Sequence, residues 1–293
     1  MNSRLPGIIA LIVLLQFPAA CRSDRKPGRS GDRDMQELTE MVLNKRAKAS
    51  SLAREIGVGA NPELIALAGN DDPDVRRIAL NCLRETGGTD AAECMTNALS
   101  DNNSQVRAAA LKGLYKHPDT AVFSKAIAAF DKSEAAYTRQ QIALIIGLMG
   151  HPEAREALKT RLEKIDDDEV VEGMVTALAR LGDPDARIEF VRRLQASEGK
   201  IRGRYLDHCE YIHQPWLVKG LEPVLDDETP MVRIGTDGDH PHNEYLRACD
   251  LAVDLTVSIA GAKFEFECGG DKNYTPEERA EVRKFIGSYV PKK

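Results

Sequence analysis

Several things are scarce in this chain of 293 residues, and each scarcity narrows the reading. Aromatic residues make up 5%, with one Trp, while Ala and Leu carry much of an apolar share of 42%. That balance favours helices, because Ala and Leu lose little side-chain entropy there. Positive charge is not in excess: 40 Lys and Arg face 46 Asp and Glu, a formal net charge of −6. Such a chain lacks the broad basic footprint that phosphate backbones require, so no nucleic-acid partner is expected. Long apolar runs are missing too. The nearly unbroken run from Ile8 to Leu15 is too short to stay in a bilayer as a permanent span. There is no Gly-x-Ser-x-Gly elbow, phosphate-cradling glycine loop, His-Glu-x-x-His or Cys-x-x-Cys. The carboxylates of Asp166, Asp167 and Asp168 cluster in an expected interhelix turn, where acids favour the following helix N-terminus. Neither catalysis nor a cofactor is expected.

What the chain does contain is a repeat. Asp72-Pro73-Asp74-Val75-Arg76-Arg77-Ile78-Ala79-Leu80 is echoed by Asn103-Ser104-Gln105-Val106-Arg107-Ala108-Ala109-Ala110-Leu111. A third copy runs through Thr138-Arg139-Gln140-Gln141-Ile142-Ala143-Leu144, and a fourth through Asp168-Glu169-Val170-Val171-Glu172 to Leu178. Val75 and Val106 are 31 residues apart, and Arg107 and Arg139 are 32 apart. Turn chemistry closes each copy: Gly87-Gly88, His117-Pro118-Asp119, Gly150-His151-Pro152-Glu153 and Gly182-Asp183-Pro184-Asp185. In the last two, Gly suits a left-handed helix stop, His or Asp takes the cap, and Pro takes the first helical position. Between these signals, apolar residues recur at three and four, the period of an amphipathic helix. The unit is two short helices, and one such pair cannot bury its apolar face alone, so neighbours stack.

These residues resemble the HEAT-repeat family, particularly its short bacterial form first noted in phycobilin lyases. The resemblance covers residues 47–196 clearly and 197–260 loosely, and it implies an all-α solenoid of stacked antiparallel helix pairs. Tetratricopeptide repeats have a similar length, but their Trp-Leu-Gly-Tyr pattern is absent. The resemblance to lyases concerns repeat type alone. In such repeats the arginines of the second helices pair with loop acids of adjacent units. Arg76, Arg107 and Arg139 with Asp72, Asp74 and Asp101 are therefore expected to be structural rather than an anion ridge. Glu172 is aligned where the fourth arginine would stand. The second helices are expected on a concave side that binds a protein or peptide partner. Arg77, Asn81, Arg84, Lys112, Tyr115 and Gln141 point out of the core there.

Residues 1–20 read as a targeting leader, with Arg4 before the apolar run and Pro18-Ala19-Ala20 before Cys21. This resembles a bacterial lipoprotein signal, although Pro18 stands where that family usually has Leu. The resemblance implies lipid on Cys21 and attachment to a membrane of the cell envelope. Arg22, rather than Asp, follows the cysteine, which favours an outer membrane facing the periplasm or the cell surface. Residues 21–34 lack core-forming side chains and read as a disordered tether of at most about 50 Å.

The repeats extend over 35–260, and the last of them departs from the pattern. Ile201 to Ile212 and Trp216 to Leu225 form one more expected helix pair. A polar insertion, 226–243, then separates it from Leu246-Arg247, which reads as the start of a second helix. Long loops in a compact array are often functional. His240 and His242 beside Asp237 and Asp239 are the candidate metal ligands there, and with Cys249 they supply the rival reading, a metal-binding or redox-active envelope protein. An oxidising compartment permits disulfides, with Cys249 pairing to Cys268 or Cys209. Residues 261–293 form a capping segment. Its helix, 276–289, starts at a Thr275–Glu278 capping box.

Overall fold

The structure is a computed structural model that describes residues 30–233, 245–269 and 272–291. The expected leader, Cys21 and the loop residues Asp237, Asp239, His240 and His242 lie outside the described residues. The chain is an all-α solenoid. Its helices are α1 (Ser30–Leu43), α2 (Ala49–Ile56), α3 (Asn61–Leu67), α4 (Pro73–Thr86), α5 (Thr89–Asn97), α6 (Ser104–Lys116) and α7 (Phe123–Lys132). They continue with α8 (Ala136–Met149), α9 (Ala154–Leu162), α10 (Asp168–Arg180), α11 (Pro184–Ala196), α12 (Gly199–Ile212), α13 (Ala248–Ala260) and α14 (Pro276–Ser288). Two short strands, β1 (Pro230–Arg233) and β2 (Tyr245–Arg247), pair antiparallel before α13. Helices α2, α4, α6, α8 and α10 pack side by side as one row, and α12 follows α10 and meets α13; α1, α3, α5 and α7 line up as the other row. No described helix is long and apolar enough to cross a membrane.

Four helices, α11 among them, start where the turn chemistry places them. The side chains of Asp72, Asn103, Asp167 and Asp183 each accept backbone N–H groups at the starts of α4, α6, α10 and α11. Those donors have no partner inside the helix, so each cap is worth ~1 kcal/mol. Thr275 and Glu278 form the expected reciprocal box on α14. Around Gly150 the expectation shifts: α9 begins at Ala154, after Pro152, and the His151 ring stacks on Phe123 with centroids 4.1 Å apart. The helix expected over 216–225 is a 3-10 run, Pro215–Asp226, because Pro223 inside it has no N–H for an α-helical ladder. Ser30 to Asp34 belong to α1, not to the tether.

Arginines stitch one repeat to the next. The Arg76 guanidinium donates to both carboxylate oxygens of Asp101, at 2.8 and 2.9 Å, and to the carbonyls of Asn70 and Asp71. Arg107 donates to the carbonyls of Asp101 and Asn102, and Arg202 to Asp227 and the Gln195 carbonyl. Arg139 lies over the Phe130 ring, 4.8 Å from its centroid. Counting from each cap residue, the fourth helical positions are Arg76, Arg107, Arg139, Val171 and Arg202. The arginine ladder is thus interrupted by Val171. Glu172 is one position further on, at the fifth, where Arg204 and His208 of α12 lie against it.

Two glycines bring α8 and α10 together. A Cβ on Gly173 would lie 2.9 Å from the Gln140 carbonyl oxygen, and one on Gly147 would lie 2.9 Å from the Ala177 Cβ. At the far end, α14 is fixed by Arg279, which donates to the Leu225 carbonyl and to Glu228. Phe264, Phe266, Phe285 and Tyr289 pack together beside it. Gly173→Ala is predicted to destabilise the fold by ~1–3 kcal/mol, because the Gln140 backbone as well as its Cγ stands in the way. An exposed helix would gain ~1 kcal/mol from the same change. Urea unfolding of both proteins decides the sign, and a stabilised variant would refute the close approach.

Candidate functional site

The inner face is read from the second helices. Their fifth, ninth and twelfth positions are Arg77, Asn81 and Arg84 on α4, and Ala108, Lys112 and Tyr115 on α6. They are Gln140, Leu144 and Gly147 on α8; Glu172, Thr176 and Ala179 on α10; and Gly203, Asp207 and Glu210 on α12. Burial divides this grid. Lys112, Asp207 and Glu210 are exposed and Arg77, Asn81, Arg84 and Tyr115 are half-buried, whereas all six positions on α8 and α10 are buried.

Helix α12 is what covers the middle. Its Tyr211 hydroxyl passes α10 and donates to the Leu144 carbonyl of α8 at 2.7 Å. Arg180 of α10 lies over the Tyr211 ring, 5.0 Å from the centroid, and donates to the Tyr211 carbonyl. Tyr115 of α6 approaches the same ring, with centroids 6.3 Å apart. Burial raises the Tyr115 hydroxyl pKa, Arg180 lowers it, and the nearby Asp207 and Glu210 raise it further. The expected continuous inner surface is therefore filled at its centre.

The expected partner-facing residues fall into two groups. Arg77, Asn81, Arg84 and Lys112 share the uncovered face of α4 and α6. Arg77 pairs with Asp74 at 3.1 Å and Arg84 with Glu85 at 3.2 Å. Tyr115 borders the covered region, and Gln141 is half-buried and donates to Gln140 at 3.3 Å. Cys249 and Cys268 are free rather than bridged, and so is Cys209. The Cys249 thiol faces Asp250 and that of Cys268 the Phe266 carbonyl, so each is held by its own local turn. Leu246 and Arg247 do not begin a helix as Val75 and Arg76 do. They end β2, and Arg247 caps α13 by gripping Asp250 with two bonds of 2.9 Å. No group of three or more His, Cys, Asp or Glu side chains is placed to hold a metal among the described residues.

Between α10 and α12 lies a polar cluster that the sequence reading missed. The Thr176 hydroxyl is 3.2 Å from His208 Nδ1, and Glu172 Oε1 is 3.9 Å from the same nitrogen. Arg204 meets the other Glu172 oxygen at 3.4 Å. Glu172 and Arg204, like Thr176 and His208, are 32 residues apart, so the repeat period itself was the available signal. A hydroxyl, an imidazole and a carboxylate invite comparison with a nucleophilic triad, and the geometry fails it. A triad uses both ring nitrogens, one for the nucleophile and one for the acid. Here both partners address Nδ1. The Thr176 hydroxyl also has the Glu172 carbonyl as an acceptor at 2.8 Å, which competes with the ring for its single proton. Thr176 is also fully buried.

Burial, with Arg204 beside the ring, lowers the His208 pKa to about 4 from 6.5. The unfolded chain binds a proton below pH 6.5 that the folded one refuses until about 4, so stability falls as pH drops through that window. Burial pushes the Glu172 carboxyl up, with Arg204 and Arg193 opposing, which offsets part of the loss. Wild type is predicted to lose ~2 kcal/mol more than His208→Gln between those pH values. Equal slopes in denaturant titrations would contradict the buried neutral imidazole.

Residues 61–127 and 123–206 match the family model for HEAT repeats. No curated protein gives a significant match to the chain. Among solved structures, an engineered protein aligns with 89% of this chain and 69% of its own, at 14% identity and a TM-score of 0.36. Hairpins α3–α4 to α9–α10, with α11 and the start of α12, occupy the matched span, over which the chain is similar to HEAT repeats.

Proposed function

We propose that the protein is a non-enzymatic scaffold that holds a protein or peptide partner and is tethered to a bacterial envelope membrane by lipid on Cys21. The observation that carries the binding half is the uncovered inner face of α4 and α6. It presents Arg77, Asn81, Arg84 and Lys112 in register across two packed helices, beside a stretch that the chain's own α12 occupies. HEAT repeats commonly offer such faces to proteins. The mixed polar lining suits a protein or peptide better than a small apolar ligand. The tethering half rests on the sequence around Cys21, since one cysteine with several acyl chains holds a protein at a membrane where a single chain is marginal.

Both halves have direct tests. Crosslinking followed by affinity capture from an envelope fraction, using the mature protein as bait, should recover a stoichiometric partner; repeated capture of nothing specific counts against the scaffold. Cys21→Ala should move the protein from the membrane pellet to the soluble fraction. A variant that stays in the pellet removes the lipid anchor from the account.

A further inference from the structure

The charge on the uncovered face indicates what kind of partner it holds. Glu85, whose side chain is 6% exposed, receives Arg54 at 2.6 Å, Lys116 at 3.0 Å and Arg84 at 3.2 Å. Burial alone would raise its pKa. The hydrogen bonds from Arg54 and Lys116 more than reverse this and bring it to about 2. Lys112 is exposed, stands one helical turn before Lys116, and makes no ion pair among the described residues. Three cations therefore meet one carboxylate at the ends of α2, α4 and α6, and Lys112 lies one turn away on α6. Arg77, nearer the start of α4, is shared with Asp74. This local excess runs against the chain's net charge of −6.

A second observation bears on how a segment could lie along the row. Helix α12 lies on the adjacent part of the same inner face, with Tyr211 near Tyr115 and with the exposed acids Asp207 and Glu210 at its ninth and twelfth positions. The chain's own helix thus seats an aromatic ring against Gly147, and its Asp207 and Glu210 stand near Tyr115 at the edge of α6. We infer that the inner face of α4 and α6, with Arg84, Lys112 and Lys116, docks an acidic segment of a partner protein running beside α12. This deepens the scaffold reading and rests on it.

The probe is a fluorescent oligoglutamate peptide, titrated with the mature protein and followed by anisotropy. Saturable binding that weakens as salt is raised is expected. Lys112→Glu should weaken it about tenfold, whereas Lys112→Arg should not. Lys164→Glu, in the turn between α9 and α10, makes the same change in net charge and should have little effect. Lys112 is exposed, so its variants should keep the wild-type thermal midpoint. The inference is overturned if oligoglutamate does not bind at low salt or if Lys112→Glu and Lys164→Glu behave alike. Tighter binding of an oligonucleotide or of anionic vesicles would overturn it as well. Affinity capture separates this from the wider reading. A partner recovered equally by wild type and Lys112→Glu leaves the scaffold and removes the acidic docking segment; no partner from either removes both.

Discussion

The close approach of α8 and α10 governs the middle of this molecule. Gly173 lets the Gln140 backbone in, and Gly147 lets Ala177 and the Tyr211 hydroxyl in. With side chains at those positions the two helices would stand further apart, and Tyr211 could not bridge α12 to the Leu144 carbonyl. That bond matters because a hydroxyl buried without a partner costs ~1–3 kcal/mol. Once it is made, α12 is committed to the inner face. Thr176 and His208 are then enclosed between α10 and α12, and α4 and α6 remain the uncovered part of the row.

Charge is distributed to suit that division. Arg76 and Arg107 end on loop carbonyls, Arg202 ends on the Gln195 carbonyl in the last turn of α11, and Arg76 and Arg202 also reach loop acids. They satisfy backbone oxygens that the interhelix turns would otherwise leave bare, and so spend their donors on the fold. The cations around Glu85 are different. One carboxylate cannot satisfy three cationic groups, and Arg54 and Lys116 keep 67% and 45% of their side chains exposed. The outward residue of positive charge is therefore a property of the arrangement, not of composition, which is acidic.

The fold was legible because its signals are local. Asp72, Asn103, Asp183 and Thr275 announce helix starts through side-chain oxygens two or three residues from the N–H they accept, and any reader of the chain can find them. The repeat then follows from spacing alone. Glu172 was misplaced by one position because the repeat length varies, and only the cap at Asp167 fixes the register of α10. Tyr115 and Gln141 lie on second helices, α6 and α8, but what Tyr115 meets is not local. Tyr115 meets a ring 96 residues along the chain, and no periodicity predicts that. The 3-10 run at Pro215–Asp226 had a visible cause in Pro223, a residue that cannot sit within an α-helical ladder.

The position of α12 also sets a direction for anything bound beside it. Asp207 and Glu210 form an acidic border near Tyr115, while Lys112 and Lys116 lie on α6 itself. An acidic segment is attracted to α6 and repelled by α12, so its charge is driven towards α4 and the Arg54–Glu85–Lys116 group. Repulsion at one edge discriminates between registers as effectively as attraction at the other, since like charges placed together cost more than a missing pair. The same border disfavours a long uniform polyanion, which would have to cross Asp207 and Glu210 to extend along the row. A short acidic stretch followed by apolar or neutral residues satisfies both walls, and it is the pattern α12 itself presents with Asp207, Glu210 and Tyr211.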